Sequence, residues 1–250
     1  MDLVLEGFQT RVTEAMNEDL TQKITEQEIY NAVFSINAES APGPDGFTAA
    51  FFQTHWNLVK NQIMADIMDF FDTGILPEEW NHTHLCLIPK IPNPERMSDI
   101  RPISLCSVLY KIVSKILSAR LKKHLPAIVS PTQSAFVAER LASDNILLAH
   151  EIIHNLRTND KISREFMMFK TDMSKAYDRV EWPFLQGILK ALGFSSQWIG
   201  WLMAVSLLFL IQYWLMVNLM VISYHKEVSD REIRYHRFCL SSVLKHLLIS

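Results

Sequence analysis

The sequence predicts an α+β fold in which helices dominate and a few short strands interrupt them. Several stretches carry apolar residues at helical spacing, as at Ile29, Val33 and Ile36. Short apolar runs such as LCLIPKI and EFMMFKTDM are instead typical of strands. The two kinds of element follow no regular βαβ period. The 250 residues, of which 49% are apolar and 20% charged, are enough for a sizeable core.

Composition excludes several classes of protein. The 3 cysteines have unrelated spacings and the 9 histidines form no HExxH motif, which argues against a disulfide framework or a structural zinc site. A net charge of −3 excludes a uniformly basic nucleic-acid binder, although a local basic patch is compatible with it. The opening segment MDLVLEGFQTRV is acidic and lacks a long apolar run, so we do not expect a signal peptide.

The first half of the chain predicts two helices separated by a loop. Thr25 and Glu28 form a capping-box pattern, and the helix that they begin should end before the loop APGPDG at 41–46. A second helix, WNLVKNQIMADIMDFFDTG, should end at Gly74. LCLIPKI then predicts a short strand that prolines break into an extended loop.

The second half predicts two further helices and a buried strand. SVLYKIVSKILSARLKKHL should begin after RPISL and end before Pro126. DNILLAHEIIHNLRT should be capped at Ser143 or Asp144. EFMMFKTDM is expected to be a buried strand that ends in Asp172.

Asp172 is the first residue that could carry chemistry. A carboxylate at the end of an apolar strand is costly unless it is solvated, paired or bound to a cation, and oxygen ligands are those that Mg²⁺ prefers. Asp178 follows six residues later, with Tyr177 before it. The alternative is that Asp172 caps the next segment and that Asp178 is a surface partner of Arg179.

Basic residues are concentrated between 101 and 123, where no acidic residue occurs, and such clustering suits phosphate binding. The alternative, favoured for the last four, is the solvated face of a helix. Lys90 and Arg101 differ because they flank a proline-rich loop that could present them to a triphosphate. The basic residues of the stretch are Arg101, Lys111, Lys115, Arg120, Lys122 and Lys123.

The loop at 41–46 has two interpretations. Its glycines would allow a ligand to approach the backbone closely, and a tight structural turn between two helices explains them equally well.

Six motifs occur in the following order: APGPDGF, LIPK, RPISLCSVLYKI, QSAF, SDNILLAHE and KTDMSKAYDRVEW. Taken together, they resemble the reverse transcriptase domain of plant LINE-type (non-LTR) retrotransposons. The likeness implies a right-hand polymerase fold, with fingers over about 20–160 and a palm that begins at the strand bearing Asp172. We therefore expect a lead-in at 1–20, and fingers with a partial palm, whose sheet is incomplete, at 21–204.

The resemblance also implies roles for individual residues. Asp172 matches a metal-binding aspartate of the polymerase site, with the backbone carbonyl of Met173 as a further ligand. Two Mg²⁺ ions would serve RNA-directed DNA synthesis. Tyr177 matches the aromatic gate against a 2′-hydroxyl, and Lys90 and Arg101 match residues that hold the incoming triphosphate. The implied partners are an RNA template, a DNA primer and deoxynucleoside triphosphates, and the implied location is the nucleus.

The chain departs from the family pattern in several places. Ala138 and Glu139 stand where relatives usually show Lys-Gly, and Pro183 stands where they usually show Asp or Asn. A template-grip motif of the RGIRQGDPLSP type and a YADD-type turn, which carries the remaining catalytic aspartate, do not occur in this sequence. The site implied by the resemblance is therefore incomplete in these 250 residues, and we expect the chain to be inactive.

The tail at 205–250 differs in texture from the rest, because it contains no glycine and no proline. When the third base of each codon is joined to the first two bases of the next, residues 224–237 can encode PQRGIRQGDPLSP, the missing motif. The sequence therefore predicts an out-of-frame tail, with the frame change near Ala204. Two competing hypotheses are a membrane-anchored interaction protein that spans with 201–222, which is uncharged, and a non-catalytic nucleic-acid binder.

Overall fold

In the computed structural model, the described residues are 9–134, 137, 139–159, 161, 164, 166–169 and 180–206. They are mostly helical, with one small sheet, in agreement with the predicted α+β class. The helices are α1 (Glu14–Thr21), α2 (Glu26–Ser35), α3 (Ala49–Thr54), α4 (Trp56–Thr73), α5 (Val108–Ile128), α6 (Ala142–Thr158), α7 (Trp182–Ala191) and α8 (196–206). The strands are β1 (Thr83–Pro89) and β2 (Ile100–Cys106), and short 3₁₀ turns lie at Glu78–Asn81 and Met97–Asp99.

The core forms where α2, α4, α5 and α8 bring their apolar faces together. Burial of these side chains supplies the main driving force for folding, at roughly 25 cal/mol per Å² of apolar surface. Central members, all with 0% exposure, include Ile29, Val33, Ile67, Phe70, Ile112, Leu117, Trp198 and Val205.

The two helix boundaries with the strongest sequence signals are confirmed. The Thr25 hydroxyl accepts a bond from the Glu28 amide, and the Glu28 carboxylate accepts one from the Thr25 amide, which completes the capping box of α2. Gly74 ends α4 with φ +72°, a left-handed conformation that glycine adopts without steric cost.

The strand predicted at LCLIPKI is confirmed as β1, but its partner is a finding of the structure. β2 includes RPISL and pairs with β1 in antiparallel register, with Thr83 opposite Cys106 and Pro89 opposite Ile100. Pro102 is tolerated because both strands of a two-stranded sheet are edges, where a missing backbone donor need not break a ladder. The sequence pattern predicts no element at RPISL.

Helix α5 continues through Pro126, so the predicted end before this residue is wrong. The proline stands in the last turn, where it removes one backbone donor. The Val129 amide donates to the Leu125 carbonyl at 2.9 Å, and Leu125 and Ile128 are buried against the core. Packing of the last turn therefore outweighs the local cost of the proline.

The predicted cap of α6 at Ser143 or Asp144 is also wrong. The cap residue is Leu141, whose side chain makes no capping bond, and both predicted residues lie inside the first turn. Asp144 is nevertheless well placed there, because a negative charge is favourable at the amino end of a helix.

The buried strand predicted at EFMMFKTDM is wrong for its described part. Residues 166–169 belong to no described strand, and Phe166 and Phe169 are 65% and 80% exposed. An extended segment is buried only when another strand and a covering layer pack on it, and the described sheet consists of β1 and β2. The remainder of this segment, including Asp172, lies outside the described residues.

Residues near the two ends of the described part of the chain are hydrogen-bonded to each other. The amides of Arg11 and Val12 donate to the Leu192 carbonyl at 3.0 and 2.9 Å, and Asn17 bonds the Gly193 carbonyl at 2.8 Å. Part of the predicted lead-in at 1–20 thus packs with the residues between α7 and α8.

Helix α8 carries the start of the apolar run at 201–222. The Tyr110 hydroxyl donates to the Val205 carbonyl at 3.1 Å, and Trp201, Leu202 and Val205 are buried in the core. Across the described ranges we find no helix with both the length and the apolar character that a bilayer crossing requires. Residues 207–222 lie outside those ranges.

Candidate nucleotide and phosphate-binding surfaces

Lys90 and Arg101 lie on the hairpin formed by β1 and β2. Arg101 stands opposite Ile88, and the Lys90 amide extends the ladder by donating to the Asp99 carbonyl at 2.7 Å. Because strand side chains alternate between faces, this register places Lys90 and Arg101 on one face, as diagonal neighbours. Ten residues separate Lys90 from Arg101 in sequence, and the pairing of β2 with β1 brings the two side chains together.

Both basic side chains are exposed, and their surroundings differ. The Lys90 ammonium donates to the Ser98 carbonyl inside the hairpin loop. Among the described residues, the Arg101 side chain has no hydrogen-bond or ion-pair partner, so its five donors are available to an anion. The hairpin thus presents one held and one available cation on the same face.

The other predicted site residues cannot be placed relative to this hairpin. Asp172, Met173, Tyr177 and Asp178 all lie outside the described residues. Where the structure is described, no three histidine, cysteine or acidic side chains gather as they would around a metal ion.

The loop at 41–46 packs closely against another part of the same chain. A Cβ atom on Gly43 would lie 2.5 Å from the backbone nitrogen of Ser107, at the junction of β2 and α5. The Lys111 ammonium donates to the Ala41 carbonyl at 3.0 Å. Of the two interpretations of the loop, the structural turn is the one that these contacts support.

Arg120 is not part of a solvated face, and the interpretation of this residue as one is wrong. Its side chain is 1% exposed and pairs with Glu28 through two bonds, of 2.8 and 3.1 Å. The guanidinium also donates to the carbonyls of Leu20 and Gln22 at 2.9 and 2.7 Å. The residue thus joins α5 to α2 and to the turn between α1 and α2. Sequence periodicity did not identify this buried position. An arginine is buried only when it has such partners, and the sequence alone does not show them.

The other lysines of the stretch are distributed over different surroundings. Lys123 is exposed and lies 3.7 Å from Asp19, a separation at which an ion pair contributes little. Lys111 is held by the loop at 41–46, and burial lowers the pKa of its ammonium. Lys115 and Lys122 line one cavity together. The basic stretch is therefore not one continuous phosphate-binding surface.

Acid should weaken the fold partly through Glu28. Burial raises the pKa of this carboxyl, but the bonds from Arg120 and Thr25 outweigh burial, so the pKa lies below its ordinary value of 4.5. A depressed pKa contributes stability that is present above about pH 4.5 and is lost as pH falls through the folded-state value. We expect the urea concentration at the unfolding midpoint to decrease as the pH is lowered from 5 to 3. The Glu28→Gln variant should be less stable at neutral pH, and its urea midpoint should decrease less over the same pH range.

A parallel titration of the Asp66→Asn variant is the control, because Asp66 accepts only an exposed bond from Gln62 on the same helix. An unchanged pH dependence in Glu28→Gln, with Asp66→Asn also unchanged, would show that other carboxyls carry the acid sensitivity.

The motif QSAF is held by two residues that follow it in sequence, Arg140 and Asn145, the latter from the motif SDNILLAHE. Arg140 donates to the carbonyls of Gln133 and Pro126, and the Asn145 amide donates to Ser134 and to the Thr132 carbonyl. The described part of this turn is thus fixed by side chains that follow it in sequence.

Glu139 has φ +66°, a conformation that suits glycine. This is the position where the resemblance leads us to expect glycine, so the backbone here has a conformation that suits the expected residue, although the residue is glutamate.

The family model described as "Reverse transcriptase (RNA-dependent DNA polymerase)" matches residues 88–216, slightly more than half of the chain. These residues include Lys90, β2 with Arg101, α5 and the stretch that contains Asp172. The chain therefore belongs to the reverse transcriptase family.

Its relatives are proteins of transposable elements. The chain is 35% identical over 191 residues, 76% of its length, to the transposon TX1 uncharacterized 149 kDa protein of Xenopus laevis. It is 30% identical over 177 residues, 70% of its length, to the Pol polyprotein of the type-2 retrotransposable element R2DM of Drosophila melanogaster. These matches support a reverse transcriptase of the non-LTR type. The aligned regions span 14% and 16% of the two relatives.

Proposed function

We propose that this chain carries the fingers and the beginning of the palm of an RNA-directed DNA polymerase of a non-LTR retroelement. The observation that carries the proposal is the family match over 88–216, which spans Lys90, Arg101 and Asp172. The implied partners are an RNA template, a DNA primer and deoxynucleoside triphosphates. A plant element of the LINE type is the source that the motifs resemble most.

Lys90 and Arg101 are assigned to the triphosphate of the incoming nucleotide. Their common face on the β1–β2 hairpin and their exposure support this assignment, since a triphosphate carries several charges and needs more than one cation. Arg101 offers a fork of donors, and Lys90 offers a point charge. Tyr177 is assigned to the same substrate as the gate against a 2′-hydroxyl.

Asp172 and the Met173 carbonyl are assigned to Mg²⁺. Carboxylate and carbonyl oxygens are of the type that this ion prefers, but one carboxylate and one carbonyl are too few to hold the two ions that the family uses. The residues of this chain thus do not fit the complete group, because the YADD-type aspartate is missing from the sequence. We derive no catalytic step from them.

The tail at 205–250 is proposed to be an out-of-frame translation of the missing palm sequence. The support is the absence of glycine and proline and the single alternative frame that can encode the template-grip motif. The nucleotide sequence of the transcript tests this directly. A shifted frame that encodes RGIRQGDPLSP and later a YADD-type turn would confirm it, and a shifted frame without either motif would contradict it.

The 250-residue chain should show no polymerase activity above background with Mg²⁺ and a primed RNA template. The physical reason is that one aspartate cannot assemble a two-metal site. Incorporation of labelled nucleotide into the primer measures this. Robust synthesis by this chain would refute the proposed inactivity.

A chain that continues in the alternate frame through the YADD-type turn is the matched positive control. It should synthesise DNA, and the Asp172→Asn variant of it should lose at least about 10²-fold of that activity, since a metal ligand is removed. The Lys123→Ala variant should keep the activity, because this exposed residue is outside both proposed sites.

A further inference from the structure

A cavity of about 350 Å³ lies between α2 and α5. Its volume is within the range of ligand sites, roughly 300–1,000 Å³. Lys115 and Lys122 of α5 line it, with Ala119 between them, and Asn31 and Glu28 line it from α2. The lysines are seven residues apart, two turns of helix, so both stand on the same side of α5.

The one carboxylate in this lining does not neutralise Lys115. Both oxygens of Glu28 are engaged by Arg120, at 2.8 and 3.1 Å, and one of them also accepts the amide and the hydroxyl of Thr25, each at 3.0 Å. The negative charge of Glu28 is thus paired with Arg120. The carboxylate is therefore not a counter-charge for the Lys115 ammonium.

Lys115 has no hydrogen-bond or ion-pair partner among the residues that the structure describes. It is partly buried, and burial lowers the pKa of its ammonium. A cation in such a place is stabilised when an anion enters and supplies the missing counter-charge. Asn31 accepts a bond from Gln27 through its carbonyl oxygen, at 2.8 Å, which leaves its NH₂ group as a further donor.

We propose that the cavity between α2 and α5 is a phosphate-binding site, with Lys115 as its central ligand and Lys122 and Asn31 at its margins. The phosphate is one of an RNA strand. The choice of RNA as the carrier rests on the proposed function, whereas the phosphate chemistry rests on the cavity alone. This surface is separate from Lys90 and Arg101, which lie on the β1–β2 hairpin.

The test measures the anisotropy of a fluorescent single-stranded RNA of about 12 nucleotides against the full chain in EDTA, where no synthesis occurs. Lys115→Met should weaken binding by about tenfold, since one charge-assisted contact is lost. The slope of log K against log salt should fall by about 0.7, as for one phosphate contact to a single strand. Lys123→Met, outside the cavity, should change binding less than about twofold.

A second pair of variants separates charge from shape. Ala119 is exposed within α5, so both glutamate and glutamine fit the helix at this position. Ala119→Glu should weaken RNA binding more than Ala119→Gln, because only the former adds a negative charge next to Lys115. Wild-type affinity and salt slope in both Lys115→Met and Ala119→Glu would overturn the proposal.

Competition with inorganic phosphate distinguishes the two sources of the anion. At matched ionic strength, displacement by phosphate beyond that by chloride, lost in Lys115→Met, shows that the free ion also binds. Equal effects of phosphate and chloride show that the site needs the strand. Both results support the site, and neither depends on polymerase activity, so a failure here and a failure of the proposed function remain distinguishable.

Discussion

Replacement of Arg120 with leucine is expected to lower the free energy of unfolding by about 3 kcal/mol, the largest effect of any single charge removal in the described chain. The guanidinium is 1% exposed and holds Glu28 together with the carbonyls of Leu20 and Gln22. Leucine fills part of the volume but leaves these acceptors without a donor, and an unsatisfied buried acceptor costs about 1–3 kcal/mol. Chemical unfolding measured by circular dichroism tests the value.

A double-mutant cycle shows whether the ion pair itself is responsible. Glu28→Leu and Arg120→Leu together should destabilise the chain by clearly less than the sum of the single variants, because each single change leaves a charge without its partner. Lys123→Ala, on the same helix, should stay within about 0.5 kcal/mol of wild type. Additive effects of the two leucine variants would show that Arg120 acts through its carbonyl bonds and its packing rather than through Glu28.

Gly43→Ala is the second change for which we expect a large loss, about 3 kcal/mol or more. The new Cβ would lie 2.5 Å from the Ser107 nitrogen and 2.7 Å from the Cys106 carbonyl carbon. The junction cannot easily yield, since the Ser107 hydroxyl donates to the Trp80 carbonyl at 2.9 Å and accepts the Tyr110 amide at 3.2 Å. Relief of the clash would break the cap of α5.

Gly200→Ala is the matched control for this position. Gly200 lies within α8, and among the described residues no heavy atom other than those of its chain neighbours and its own helix backbone is within 4 Å of the place where its Cβ would stand. Alanine there should be neutral or stabilise the chain by up to about 1 kcal/mol, because glycine is the poorer helix former. If thermal unfolding finds Gly43→Ala as stable as Gly200→Ala, the loop at 41–46 moves freely, and its role as a fixed structural turn is contradicted.

Local signals predicted the local structure well. The capping box at Thr25 and the end of α4 at Gly74 involve residues within one or two turns of each other, so the chain chemistry alone specifies them. The strand at LCLIPKI belongs to the same category. The mistakes at Pro126 and at the start of α6 arose where a local preference competed with packing or with an extra turn of helix.

The candidate site divides in the same way. The order and spacing of six motifs indicated the reverse transcriptase family, and the family match over 88–216 agrees. That Lys90 and Arg101 share a face could not be predicted, because it depends on the register in which β2 pairs with β1, and the sequence does not show that pairing.

The sequence by itself determined the family, the helical segments and the absence of a complete set of catalytic motifs from these 250 residues. Those properties depend on residue identity and on short-range spacing. Only the tertiary structure decided which basic residues are structural and which are available: Arg120 lies inside, bonded to Glu28, while Lys115 lines a cavity without a partner among the described residues. From the sequence pattern, both residues were predicted to lie on the solvated face of one helix. The difference arises because burial and partner choice are set by segments about 90 residues away in sequence, as in the pairing of α5 with α2.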